Sequence, residues 1–222
     1  MNQHWNWDFH GEVFLESIGQ TLYMVAATLV IGGLLGLIIG VALYSTRAGS
    51  IFSNRVVFFI LNFIVNLVRP IPFVILLVAV APLTTLIVGK FIGTTAVIVP
   101  LSLAVAFGSS RIVEQNLVTI DPGVIEAARA VGAGPWRIIF TLLIPEALGP
   151  LILGYTFVFV AIIDMSAVAG AVGGGGLGNF ALAYGHFKWN QEVVWISVAT
   201  IVLLVQGVQF VGNTLARKAL RR

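Results

Sequence analysis

The chain has 222 residues, of which 59% are hydrophobic and 9% are charged, and its formal net charge is +3. Its mean hydropathy of +1.03 is too high for a domain that must cover its core with polar surface, so the composition excludes a water-soluble protein and predicts an integral membrane protein. The absence of cysteine excludes disulfides and thiolate chemistry, and the three histidines lack the spacing of metal ligands.

Five apolar segments are long enough to be transmembrane helices, because about 20 residues of helix cross the ~30 Å hydrocarbon core of a bilayer. They cover residues 19–44, 57–81, 91–113, 147–171 and 192–214. The predicted fold class is therefore all-α and polytopic, with the two termini on opposite sides of the membrane. The chain divides into an N-terminal segment (1–16), a transmembrane domain (17–212) and a basic tail (213–222).

Lysine and arginine predict the orientation, because cytoplasmic loops carry an excess of both. One side of the membrane receives only Lys90 and Lys188, and Arg69 lies within the second span. The other side receives Arg47, Arg55, Arg111, Arg129, Arg137, Arg217, Lys218, Arg221 and Arg222. This asymmetry predicts an extracytoplasmic N-terminal segment and a cytoplasmic tail that meets anionic lipid headgroups, not nucleic acid.

The second span contains a polar face. Asn62, Asn66 and Arg69 follow one another at helical spacing, and Pro70 and Pro72 then prevent a regular helix from continuing. A charge within a span is costly unless it faces protein or water. The face either lines a translocation path or gate near a broken helix, or it joins two helices while Arg69 bonds the carbonyls freed by the prolines.

A polar segment between the third and fourth spans predicts the first of two short cytoplasmic helices. Asp121 is a suitable N-cap, Pro122 suits the first helical position, and Ile120 and Ile125 have the spacing of a hydrophobic staple. Gly132 can take the left-handed conformation that ends this helix.

The second short helix should start at Pro135, and Pro145 should mark the boundary before the fourth span. The small side chains of Ala127 and Ala128 expose backbone for close approach. A rigid helix-turn-helix of this kind suits insertion into a groove of a soluble partner. The alternative is an amphipathic loop that lies on the lipid headgroups.

The fourth span contains a carboxylate, Asp164, with no basic neighbour nearby in sequence. An ionisable residue within the membrane indicates a functional site. Asp164 could bind the ammonium group of an amino acid or pair with Arg69, and Met165 could line the same path. Alternatively, a protonated Asp164 bonds a neighbouring helix. A third possibility is that Asp164 relays protons in a secondary transporter.

A glycine run follows at the outer end of the fourth span. It comprises Gly173, Gly174, Gly175, Gly176 and Gly178. Such a run permits a tight re-entrant turn that acts as an outer gate, or a close approach of two subunits. The alternative is a flexible loop.

The segment that contains Glu126, Ala127, Ala128 and Gly132, and that ends in LLIP at Pro145, resembles the EAA loop of the membrane subunits of ABC importers. The chain is similar to this family from about residue 17 to residue 212, with particular likeness to the methionine importer permeases. The further matching segments are NLVRPIPFVILL at 66–77, VIVPL at 97–101, IEAARAVGA at 125–133, LLIPEAL at 142–148 and GAVGGGGLG at 170–178.

The resemblance implies the transmembrane domain of a type I ABC importer, in which the EAA loop forms a coupling helix-turn-helix. It implies a homodimer of permease subunits in the bacterial cytoplasmic membrane, two cytoplasmic ATPase subunits and an extracytoplasmic methionine-binding protein, often a lipoprotein. The chain itself has no GxxxxGK[ST] phosphate loop, so we expect it to hold no cofactor, and we expect ATP and Mg²⁺ in the partner ATPase. Another small solute remains an alternative substrate.

Overall fold

The computed structural model of the protein describes the backbone of residues 7–220 and the side chains of residues 11–220. The described residues form helices joined by turns. In chain order the α-helices are α1 (Trp7–Thr46), α2 (Arg55–Val68), α3 (Phe73–Ala79), α4 (Ala81–Val88), α5 (Thr94–Val118), α6 (Pro122–Ala130), α7 (Pro135–Ile138), α8 (Ile144–Glu146), α9 (Leu148–Ala169), α10 (Gly176–Phe180) and α11 (Gln191–Leu220). Wider π-helical turns occupy Ile139–Leu143, Gly170–Gly174 and Ala181–His186.

Four of the predicted spans are confirmed as helices long and apolar enough to cross a membrane, namely those in α1, α5, α9 and α11. The helix α1 starts at Trp7, earlier than the predicted start of the first span at residue 19. The helix α5 starts and ends a few residues later than the predicted third span. Ends differ from expectation because hydropathy locates the apolar stretch, whereas capping and packing decide where the helix stops.

The predicted second span, 57–81, is not one continuous helix. The helix α2 ends at Val68, α3 starts at Phe73, and the two differ in direction by 106°. Pro70 and Pro72 lie at the break, where neither can donate a backbone hydrogen bond and each ring crowds the preceding turn. The single span is therefore corrected to a bent pair of helices, followed by the short helix α4.

The helices α1 and α5 pack against each other along much of their length. Three glycines of α1, each four residues after the last, face α5. A Cβ atom on Gly32 would lie 2.7 Å from the carbonyl oxygen of Ser102, and one on Gly40 would lie 2.6 Å from that of Ser110. On Gly36 it would meet the side chain of Ser109. Small residues at such positions let two membrane helices approach until their backbones touch.

Candidate functional site

The first half of the helix-turn-helix, α6, has the predicted start. The carboxylate of Asp121 accepts a hydrogen bond from the backbone N–H of Gly123 at 2.8 Å, and Pro122 is the first helical residue. Ile120 and Ile125 flank this cap, and each is 8% exposed, as a hydrophobic staple requires. The cap and the staple together fix the direction in which α6 leaves the end of α5.

The turn between the two short helices also forms as predicted. Gly132 has φ +80°, a left-handed conformation that favours glycine, and no atom of another residue would contact a Cβ added there. The backbone N–H of Ala133 closes the turn on the carbonyl of Ala128 at 3.0 Å. Pro135 then starts α7. Backbone conformation alone therefore demands glycine at position 132.

The π-helical turn Ile139–Leu143 separates α7 from the fourth span. In it the N–H of Ile144 bonds to the carbonyl of Ile139, five residues back. This wider turn accommodates Pro145, which cannot donate and whose ring crowds the carbonyl four residues earlier. The helix α9 begins at Leu148, so Pro145 lies just before the fourth span, as predicted.

Apolar packing holds the helix-turn-helix against the end of α5. Ile125 of α6 and Ile138 of α7 share a buried cluster with Val113 and Leu117 of α5. One polar contact adds to this, because Arg129 Nη2 donates to the backbone carbonyl of Ser50 at 3.1 Å. Ser50 lies between α1 and α2, so α6 is attached to that connection as well as to α5.

The outer surface of the helix-turn-helix is mostly exposed in this chain, although the ring of Trp136 packs against Phe52 and Phe140. Glu126, Ala127 and Gly132 are exposed, and Ala128 is half-buried against the cluster beneath it. Val131 is 85% exposed and Trp136 is 66% exposed. Large apolar side chains held outward on a rigid support indicate a surface for another protein. The coupling role of the EAA residues stays a prediction.

The polar face of α2 is satisfied by a residue that sequence reasoning did not select. Asn62 and Asn66 accept hydrogen bonds from the guanidinium of Arg111 in α5, at 2.5 and 2.8 Å between Oδ1 and Nη2. Arg111 also pairs with Glu114, which is 5% exposed. Arg69 instead is exposed at the end of α2, and its side chain makes no hydrogen bond or ion pair with the residues that the structure describes.

The sequence contains a local signal for this network. Arg111 was counted as a cytoplasmic loop charge, whereas it lies on α5 three residues before Glu114, the spacing of a helical ion pair. A pair of opposite charges at the end of an apolar span predicts polar partners, such as amide side chains, on a neighbouring helix.

Asp164 is exposed on α9 in the single chain, and it forms no ion pair with Arg69. No described residue hydrogen-bonds its carboxylate. An isolated carboxylate on a spanning helix is unfavourable against lipid, so we expect this side of α9 to face water or another protein. Met165 beside it is partly buried and packs against two apolar clusters, one of which contains Val25 and the other Val97. The roles of Asp164 and Met165 in a translocation path remain predictions.

The glycine run forms a tight turn docked on α1. Gly173, Gly175 and Gly176 have φ of +94°, +79° and +76°. Gln20 Oε1 accepts from the N–H of Gly176 at 2.6 Å, and Thr21 Oγ1 accepts from that of Leu177 at 2.9 Å. The turn is therefore fixed rather than a free loop, while its function as an outer gate stays a prediction.

The fold is that of a polytopic membrane protein: a bundle of membrane-length helices that presents an exposed helix-turn-helix between two spans. Residues 32–220 match the family described as the inner membrane component of binding-protein-dependent transport systems. The match covers most of the chain, and the protein belongs to this family.

Individual relatives extend the match to nearly the full length. The chain is 39% identical to the probable D-methionine transport system permease protein MetI of Vibrio cholerae, over 94% of this chain and 93% of that one. It is 38% identical to the methionine import system permease protein MetP of Bacillus subtilis, over 77% of each chain. A solved inward-facing conformation of the MetNI methionine ABC transporter aligns at a TM-score of 0.90 with 40% identity, covering 93% of this chain and 96% of that chain.

Proposed function

We propose that this protein is the permease subunit of an ATP-driven importer that carries methionine across the bacterial cytoplasmic membrane. The exposed helix-turn-helix carries the proposal, because its rigid cap, staple and left-handed turn can transmit a push from a partner. The named functions of the relatives from Vibrio cholerae and Bacillus subtilis support methionine as the substrate. Selection among small amino acids is expected to lie mainly in an extracytoplasmic binding protein, often a lipoprotein.

In this mechanism two copies of the chain pair in the membrane, and an ATPase subunit docks on the exposed face of each helix-turn-helix. The ATPase subunits close when they bind ATP and Mg²⁺, and α6 and α7 move with them. The paired bundles then alternate between inward and outward openings. The N-terminus lies outside and the basic tail lies in the cytoplasm. The chemistry of hydrolysis belongs to the partner, since this chain has no phosphate loop.

The transport path in this proposal passes the free side of α9. Asp164 is the carboxylate available there, and it would bind the substrate's ammonium group as the substrate crosses. A proton-coupled transporter that uses Asp164 as a relay is the competing function. Membership of a binding-protein-dependent family argues against it.

Import into proteoliposomes tests the proposal directly. The tagged chain is purified with the subunits that accompany it and is reconstituted with methionine-loaded binding protein outside. We expect ATP hydrolysis to rise with the loaded binding protein and labelled methionine to accumulate inside. Uptake that follows a proton gradient and ignores ATP would contradict the proposal, and stimulation by another solute alone would correct the substrate.

Asp164→Asn should lower methionine import several-fold, because the amide keeps the shape of the side chain but loses the charge that attracts an ammonium group. The measurement is the initial rate of import against substrate concentration in the same proteoliposomes. Glu12→Gln is the control, since Glu12 is an exposed carboxylate near the start of α1. Equal kinetics for wild type and Asp164→Asn would assign this carboxylate a role outside substrate binding.

A further inference from the structure

Five polar side chains, from α2, α5 and the connection between α1 and α2, form one network at the end of α5 near the helix-turn-helix. Its members are Arg47, Asn62, Asn66, Arg111 and Glu114. Arg111 bonds Glu114 through Nη1 at 2.5 Å and both asparagines through Nη2. Arg47 approaches the other carboxylate oxygen of Glu114 at 3.6 Å. We name these five residues the polar clamp.

The centre of the polar clamp is buried. The side chain of Glu114 is 7% exposed and that of Arg111 is 14% exposed, whereas Arg47 is 44% exposed. A buried charge pair of this kind is stable only while each partner keeps its position, since loss of one leaves the other uncompensated. Arg111 provides the planar fork that this geometry requires, which a lysine could not replace.

The helix α2 lies against both α1 and α5, and the polar clamp is its polar attachment to α5. Val65 is its one buried residue, and the apolar side chains of Val56, Phe59 and Phe63 are exposed in the single chain. The described contacts of α2 with α5 are few for a helix of 14 residues. The bonds from Arg111 are therefore a major part of what attaches the first half of the broken span to α5.

A continuous series of contacts leads from this attachment to α6. Arg129 of α6 bonds the carbonyl of Ser50 in the connection between α1 and α2. Arg47 begins the same connection and reaches Glu114. Glu114 holds Arg111, which holds α2. Each of these contacts joins two groups that lie next to each other, so a displacement of α6 can be transmitted through them to the broken span.

We propose that Arg111 is a positioning residue for transport, which ties the broken span to the helix-turn-helix so that α2 follows the movement of α6. The proposal rests on the proposed importer function. It assigns to the polar clamp the conversion of a push at the cytoplasmic surface into a movement of the span that bends at Pro70 and Pro72. Arg111 touches no substrate in this role.

The test removes the bonds to α2 and leaves the buried ion pair intact. In the double variant Asn62→Leu with Asn66→Leu, Arg111 and Glu114 keep each other, which avoids the unpaired charge that Arg111→Leu would create. We expect the ratio of methionine imported to ATP hydrolysed to fall by at least about fivefold. This is the lower end of the typical range for the coupling between two linked sites. Asn66→Asp, which retains an acceptor for Arg111, should keep the ratio near that of wild type.

Gln115→Leu is the matched control. Gln115 is an exposed amide of α5, and it lines a cavity of about 410 Å³ together with Asn62 and Arg111 without belonging to the polar clamp. This variant should leave the ratio unchanged. A double variant whose ratio equals that of wild type would overturn the proposal. A double variant with less assembled complex but an unchanged ratio would overturn it too, since it would reduce the polar clamp to a role in folding.

A second measurement separates this proposal from the importer function. The chain has no cysteine, so cysteines introduced at Phe59 in α2 and at Val124 in α6, both exposed, can be spin-labelled selectively. In complexes diluted with unlabelled chains, the distance between the labels should stay constant when ATP is added to wild type and should broaden in the double variant. If wild type imports no methionine but shows this contrast, the importer function fails while the polar clamp stands; equal broadening in both would overturn the polar clamp.

Discussion

Gly132→Val should uncouple ATP hydrolysis from import. The residue has φ +80°, where a β-branched side chain is strained by about 1–3 kcal/mol, so the turn must open or rotate to relieve it. Opening the turn changes the angle between α6 and α7, and so displaces the exposed surface that the two helices present together. We expect import per ATP hydrolysed to fall by roughly tenfold, consistent with strain of that size. The measurement is the ratio of labelled methionine imported to phosphate released.

Gly134→Val provides a matched control two residues away. A Cβ atom at either position would contact no other residue, so steric crowding is the same in both variants. Gly134, however, has φ −68° and ψ 157°, an extended conformation that valine adopts readily, also before proline. Gly134→Val should therefore import normally. If both variants lost coupling to the same degree, coupling would depend on the exposed surface of the helix-turn-helix and not on its left-handed turn.

Gly40→Ala should lower the thermal stability of the protein. Its Cβ atom would lie 2.5 Å from Cβ of Val113 and 2.6 Å from the carbonyl oxygen of Ser110, and neither neighbour is the mobile end of a long side chain. The pair of helices α1 and α5 must therefore separate, which costs about 1–3 kcal/mol for overpacking of this size. Thermal unfolding of the purified complex in detergent should shift down by several degrees, at roughly 2–4 °C per kcal/mol.

Gly207→Ala tests whether this loss comes from the helix contact. Gly207 lies within α11, and a Cβ atom there would contact nothing within 4 Å. Alanine is favoured over glycine in a helix by about 0.5–1 kcal/mol, so this variant should unfold at the same temperature as wild type or slightly higher. A Gly40→Ala protein as stable as Gly207→Ala would mean that α1 and α5 are not held at backbone contact.

Much of the fold followed from local sequence. Four spans were predicted from apolar length, and the break of the second was indicated by Pro70 and Pro72, although its 57–81 bounds treated it as one segment. The cap at Asp121 and the left-handed Gly132 were predicted because each depends on one or two neighbouring residues. The resemblance to ABC importer permeases is supported by the family match.

The sequence by itself determined the four long apolar helices, the break at Pro70 and Pro72 and the turn of the helix-turn-helix, because apolar length, capping and backbone conformation act within a few residues. Only the tertiary structure decided which polar groups meet. Asn62 and Asn66 bond Arg111, which is 49 and 45 residues away along the chain, and Asp164 meets no described partner. Such pairings depend on the rotation and separation of packed helices, which backbone contacts at Gly32, Gly36 and Gly40 help to fix and which no local pattern encodes.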